Sequence, residues 1–260
     1  MSFLAVFAPI LAAAVIGGAS AGALGVLVVG LRMPFLAVCT AHAALAGAVF
    51  GRLVGLPQGV AAFAGALSAA VGLGALLRHR DLDPSAALGT LVSLSLGLAF
   101  LGIGLTPGPR APLLSLLWGS LLLVGWRELA WMALAALALL LLLLFGGVRL
   151  KLLLFSRQLA EALIPEPLLL AVVLATAAAV IAVNLETVGG LMLYALVCNP
   201  AIAAMRLARS YPATLALAAG LGAACAVGGF LAAYGLDLPV GACIVLVSSS
   251  AVGLALARGR

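Results

Sequence analysis

Long apolar runs are the feature that most constrains this chain. The stretch from Leu129 to Val148 carries no charged side chain, and similar runs recur along the sequence. About 20 such residues in a helix cross the ~30 Å hydrocarbon layer of a bilayer. The runs lack the alternation of outer-membrane strands, so helices must satisfy their backbone hydrogen bonds. With 66% hydrophobic and only 8% charged residues, the sequence predicts an all-α, polytopic helical membrane protein.

Turn-forming residues divide the runs and predict about nine transmembrane helices. Proline and glycine interrupt the apolar pattern at Leu56-Pro57, at Thr106-Pro107-Gly108-Pro109 and at Pro165-Glu166-Pro167. The predicted spans are residues 5–31, 33–54, 58–77, 85–105, 128–148, 167–184, 187–206, 212–234 and 239–257. The apolar stretch 113–124 is too short to cross, and we expect it to re-enter or to lie in the interface. Residues 1–260 are predicted to form a single transmembrane domain.

Basic residues in the short loops predict the orientation. Ten arginines and lysines fall on one side of the nine-span map, whereas Arg52, Arg110 and Arg127 fall on the other. Because basic loops favour the cytoplasm, the C-terminus is predicted to be cytoplasmic and the N-terminus external. The net charge of +6 then reflects membrane topology, and no nucleic-acid partner is expected.

The motifs of common enzymes are absent or misplaced. The only lysine is Lys151 in VRLKLLLF, so the phosphate-binding GxxxxGK[ST] loop does not occur. The stretch from Gly18 to Gly22, GASAG, matches GxSxG, but a nucleophile elbow needs a strand-to-helix turn. Inside an apolar helix these two glycines instead favour the close approach of a neighbouring helix. The chain is predicted not to be an enzyme.

The segment FSRQLAEALIPEP, from Phe155 to Pro167, is unlike the rest of the chain because it is short, polar and helix-forming. Ser156 can cap a helix that Pro165 ends. Leu159, Ala162 and Leu163 share one face of that helix. A short amphipathic helix between two spans can rest on the membrane surface or dock into another protein, and its composition does not choose between them.

Four segments resemble the permease subunit of ABC-type importers for zinc, manganese and iron. The longest is VGGLMLYALVCNPAIAAMRLARS (188–210), which is similar to the family pattern V-G-x-L-L-x-x-A-L-L-x-x-P-A-x-x-A. The others are LLSLLWGSLL (113–122), LDLPVGACIVLV (236–247) and LRMPFLAVCTAH (31–42). The last resembles R-R-M-x-[YF]-x-G-D-x-[LI]-[AS]-H. The resemblance covers nearly the whole chain in order.

The resemblance implies the permease of an ATP-driven importer of divalent transition metal ions, zinc before manganese or iron, in the cytoplasmic (inner) membrane of a bacterium. It implies no permanently bound cofactor, because the metal ion is cargo and ATP binds to partner subunits. The implied partners are a second copy of the permease, two cytoplasmic ATPase subunits, an external metal-binding protein and the lipid bilayer.

The resemblance also gives the segment after the fifth span the role of a coupling helix that contacts the ATPase. The residues implied in this contact are Phe155, Ser156, Arg157, Leu159, Ala162 and Leu163. Ser156 stands where the family usually has an acidic residue.

The motif that ends at His42 departs from the family at one position. Family members carry an acid four residues before this histidine, and the pair resembles a metal way-station; here the position is Val38. Cys39 lies three residues before His42, close enough on a helix to share a ligand. Cys198 and Asn199 replace apolar family residues. Either these four residues line a rebuilt transit site that favours zinc, copper(I) or iron, or His42 bonds a backbone carbonyl and the cysteines pack.

Two other transporter classes stay open. A permease of the siderophore or cobalamin importers would share this layout, although those families usually place Pro-His where this chain has Pro200-Ala201. A secondary transporter would work without an ATPase. Such proteins tend to couple ions through intramembrane acids, and here only Glu186 lies near a span end.

Overall fold

The computed structural model of the protein describes residues 3–77, 83–107, 113, 116–117, 119, 121, 124–155, 160 and 163–258, without the side chains of residues 3–6, 186 and 191. The helices in these residues are α1 (Phe3–Gly30), α2 (Leu36–Leu53), α3 (Gln58–Leu76), α4 (Pro84–Leu105), α5 (Trp126–Phe145), α6 (Gly147–Phe155), α7 (Glu166–Val188), α8 (Gly190–Leu207), α9 (Tyr211–Leu236) and α10 (Val240–Ala257).

The helices account for the predicted spans. Within the described part of the chain, 8 helices are long and apolar enough to cross a membrane. The remaining predicted span, 187–206, corresponds to α8, an 18-residue helix whose apolar part is the shorter stretch Met192–Leu207. The short helix α6 follows α5 directly after Gly146. The prediction of an all-α, polytopic membrane protein with about nine spans is confirmed.

One described residue of the stretch predicted to be too short to cross lies against the junction between α7 and α8. Gly189 ends α7 with φ 90°, a conformation that favours glycine. Gly119, with φ 73°, lies so close to this turn that a Cβ there would collide with the backbone of Val188. The side chains of Leu113 and Leu121 are 1% and 2% exposed. The described residues of this stretch therefore pack into the bundle, which favours the re-entrant alternative.

The centre of the bundle contains α1 and α2, whose most apolar windows are each 72% buried, against 17% for α5. Helix α1 crosses α9 at Gly18 and Gly22, which face Gly222 and Ala218. A Cβ at either α1 glycine would collide with the α9 backbone, so the helices are in direct backbone contact. The prediction that these glycines permit close helix approach is confirmed.

Several of the predicted cytoplasmic loops meet at one end of the bundle. A cavity of about 360 Å³ is lined by Arg32 before α2, by Pro84 at the start of α4 and by Phe155 at the end of α6. The Lys151 ammonium lies 5.6 Å from the centroid of the Tyr211 ring, which brings the start of α9 to the same end. This grouping agrees with the predicted topology. That this end faces the cytoplasm stays a prediction.

Candidate functional site

His42 lies in the first half of α2, surrounded by small apolar residues, and only 7% of its surface is exposed. Its Nδ1 atom is 2.8 Å from the backbone carbonyl oxygen of Val38. A carbonyl can only accept, so Nδ1–H is the donor, and in the tautomer that this bond selects the lone pair lies on Nε2. The same geometry orients metal-binding histidines in general. His42 therefore bonds a carbonyl, as one interpretation predicted, yet its Nε2 stays available to a cation.

The two predicted thiols are buried more deeply than His42. Cys39 and Cys198 are each 1% exposed, and both are free thiols. The Cys198 sulfur lies 3.8 Å from the carbonyl oxygen of Pro34, just before α2 begins. Among the described residues, no three histidine, cysteine or acidic side chains are grouped closely enough to hold a metal ion. The predicted transit residues thus do not form a ready-made, three-ligand site of these types.

Asn199, next to Cys198 near the middle of α8, contacts a different neighbour. Its Nδ2 atom lies 3.1 Å from the Ser248 hydroxyl oxygen and 3.2 Å from that of Ser249, both on α10. The side chain is half-buried. Cys198 therefore contacts the connection before α2, while Asn199 contacts α10. The sequence predicted that these two adjacent α8 residues line one site, but in the structure they contact different parts of the chain.

Sequence reasoning missed two groups of polar residues in the spans. Ser248 and Ser249 were not predicted as site residues, although a run of three serines in an apolar helix indicates a polar contact. Asn184 of α7 is 1% exposed, and its Nδ2 donates to the Val180 carbonyl at 2.7 Å. The Asn184 Oδ1 and the Thr40 hydroxyl are buried without a hydrogen-bond partner. Polar side chains inside spans are costly to bury, so their positions are worth noting.

The predicted coupling segment is described only in part. Phe155 ends α6 and is 82% exposed, and Leu163 is 69% exposed. Ser156, Arg157, Leu159 and Ala162 lie outside the described residues. Both are large apolar side chains; Phe155 lines the same cavity as Arg32, and Leu163 lies three residues before Glu166, which also lines it.

Comparison with known proteins assigns the chain to a family. The model of the ABC 3 transport family matches residues 3–259. The chain belongs to the ABC 3 transport family. An uncharacterized membrane protein of Synechocystis is 30% identical over 248 residues, which cover 92% of this chain and 85% of that protein. The manganese transport system membrane protein MntC of Halalkalibacterium halodurans is 27% identical over 247 residues, which cover 94% and 84%.

A solved structure has the same fold. PsaBC from Streptococcus pneumoniae, in complex with Fab, superimposes with a TM-score of 0.84 over 98% of this chain and 91% of that one, at 24% identity. The ABC 3 family match covers nearly the whole sequence and includes all four motif segments. The prediction of a permease subunit from the ABC-type metal importer family is confirmed, and with it the prediction of a membrane-spanning transport subunit.

Proposed function

We propose that the chain is the permease of an ATP-driven importer of divalent transition metal ions, with zinc as the preferred cargo. The observation that carries this proposal is the orientation of His42. Its Nδ1 donates to the Val38 carbonyl, so Nε2 is the ring nitrogen that is left to bind a cation. A neutral imidazole is a common ligand of transition metals and needs no counter-charge inside a membrane.

The preference for zinc follows from the ligand types near His42. Cys39 precedes it by three residues on α2, and the proposed path also includes Cys198 and Asn199 on α8. Imidazole and thiolate suit zinc or iron better than manganese, which prefers oxygen. The family's acid is Val38 here, so a bound ion gains no carboxylate. A site with few ligands also releases its ion readily, which transport requires.

The partners follow from family membership and from the exposed apolar residues at the basic end. Phe155 and Leu163 present large apolar side chains there, and such groups on a short helix fit a groove on another protein. We assign this groove to the two cytoplasmic ATPase subunits. A second permease copy and an external metal-binding protein complete the complex. It lies in the bacterial inner membrane, with the C-terminus in the cytoplasm.

Reconstitution tests the proposal. The permease is placed in proteoliposomes with its ATPase subunits and the metal-binding protein, and ATP hydrolysis is measured with zinc and with a chelator. We expect metal-dependent hydrolysis by the complete complex and none by the permease alone, because Lys151 stands outside any phosphate-binding loop. Uptake that needs no ATP would identify a secondary transporter. Stimulation by a metal chelate but not by the bare ion would identify a chelate importer.

A further inference from the structure

A polar contact joins the middle of α8 to the middle of α10. The Asn199 side chain on α8 meets Ser248 and Ser249 on α10, both within 3.2 Å of its Nδ2. Ser248 is fully buried, whereas Ser249 is exposed on the surface of the single chain. Apolar residues flank this cluster on both helices, and the next residue of α10 is a third serine, Ser250.

The contact fixes which way the Asn199 amide faces. The Ser248 hydroxyl donates its hydrogen to the Val245 carbonyl at 3.0 Å, so toward Asn199 its oxygen can only accept. The amide nitrogen must therefore be the atom that faces Ser248. Ser249 accepts a second hydrogen from the same nitrogen. Both amide hydrogens are then used, and the carbonyl oxygen Oδ1 faces away from α10.

The Asn199 Oδ1 atom lies inside an apolar helix, where an acceptor without a hydrogen-bond donor is energetically unfavourable. In the described part of the chain, Asn199 Oδ1 accepts no hydrogen bond, and its side chain is only half-buried. Hydrocarbon offers no donor, so an unpaired amide group there is energetically unfavourable. A polar group in the middle of a span is therefore expected to face a water-filled interior.

We propose that Asn199 Oδ1 is a ligand for hard divalent cations on the transport path, and that Ser248 and Ser249 are positioning residues that point it there. This inference rests on the proposed function. Amide oxygens suit manganese and similar ions, which prefer oxygen ligands. The amide oxygen adds an oxygen ligand to a path in which Val38 stands where family members carry an acid. It lets a site built from imidazole and thiols also pass manganese.

The test measures selectivity in the complete complex, with manganese and zinc offered together to proteoliposomes. The variants are Asn199→Ala and the double change Ser248→Ala with Ser249→Ala. Loss of one polar contact costs about 1 kcal/mol, which corresponds to a roughly fivefold change in affinity. We therefore expect Asn199→Ala to lower the manganese-to-zinc uptake ratio by about fivefold. The serine double variant should shift the ratio in the same direction but by less, because it keeps the Asn199 amide and removes only the hydrogen bonds that orient it.

Ser250→Ala is the matched control. Ser250 belongs to the same run of serines and is exposed, but its hydroxyl donates to the Leu246 carbonyl of its own helix at 2.8 Å. Its removal should leave the ratio unchanged. The inference is overturned if Asn199→Ala lowers both metals equally, if the ratio stays at the wild-type value, or if Ser250→Ala shifts it as far as the serine double variant.

A binding measurement separates this inference from the proposed function. Electron paramagnetic resonance of Mn²⁺ added to the purified wild-type permease in nanodiscs, and to Asn199→Ala, reports on the ligand without transport. A wild-type complex that moves no metal would reject the proposed function alone. Mn²⁺ bound by the wild type and lost from Asn199→Ala would still support the ligand role. Equal binding by both proteins would overturn it.

Discussion

His42 and Asn199 are polar side chains within apolar spans, yet they are held in different ways. His42 donates to the carbonyl of Val38, one turn earlier in its own helix, at 2.8 Å. Asn199 donates to serines of α10, which follow it by 49 and 50 residues. The first orientation depends only on α2 being helical. The second exists only when α8 and α10 are packed together, so it can respond to a rearrangement of the bundle.

Because the two side chains are oriented by different contacts, His42 and Asn199 are expected to contribute differently to metal transport. The His42 nitrogen keeps its direction however the neighbouring helices move, which suits a ligand that every cargo ion meets. The Asn199 oxygen loses its direction if α10 shifts, which suits a ligand that discriminates between ions or states. Changes at His42 should therefore affect all metals, and changes at Asn199 should affect their ratio.

The largest expected effect is that of His42→Ala. Removing the only imidazole in the described spans should lower uptake of zinc and manganese together, by about tenfold or more. Expression and co-purification with the ATPase should stay near wild type. Thr40→Val is the matched control, because Thr40 is buried in the same helix and its hydroxyl has no hydrogen bond to lose. Unchanged uptake in His42→Ala would reject the pathway role of this residue.

Val38→Asp should have the next largest effect. The bond that orients His42 uses the backbone carbonyl of Val38, so a new side chain leaves it intact. A carboxylate one turn from the imidazole adds charge attraction, which should lower the apparent KM for metal by about fivefold, or 1 kcal/mol. Slower release should lower kcat as well. Val38→Asn is the neutral control, and an identical KM in the two variants would contradict the account.

These two positions also show how far sequence alone could lead. His42 and the missing acid at Val38 could be identified from the motif LRMPFLAVCTAH, and their bond is local to one helix. The spans could be predicted because each apolar run must form a helix in a bilayer. The spacing of Gly18 and Gly22 likewise predicted a close helix contact, which the structure shows.

Contacts between distant helices could not be predicted in this way. The bond from Asn199 to Ser248 depends on how two helices pack, and no local pattern encodes that pairing. The same holds for Gly119, whose place against Val188 depends on a stretch that does not cross the membrane. Asn184, buried with an unpaired oxygen, carried no family motif to mark it.

The smallest expected effect distinguishes a thiol on the His42 helix from one elsewhere. Cys39→Ala should lower zinc uptake by about threefold and manganese uptake less, because a thiolate is a soft ligand. Cys225→Ala is the control, since Cys225 is equally a buried free thiol but lies on α9. Zinc uptake by Cys225→Ala should equal that of the wild type. Full zinc transport by Cys39→Ala would make Cys39 a packing residue only.

The most direct measurement of the central claim is X-ray absorption at the zinc edge. The complete complex is loaded with zinc and trapped with a non-hydrolysable ATP analogue, as wild type and as His42→Ala. The account predicts scattering from an imidazole nitrogen at about 2.0–2.1 Å from zinc in the wild type. This signal should disappear in His42→Ala. Identical spectra from the two proteins, with equal zinc content, would contradict the claim that His42 binds the transported ion.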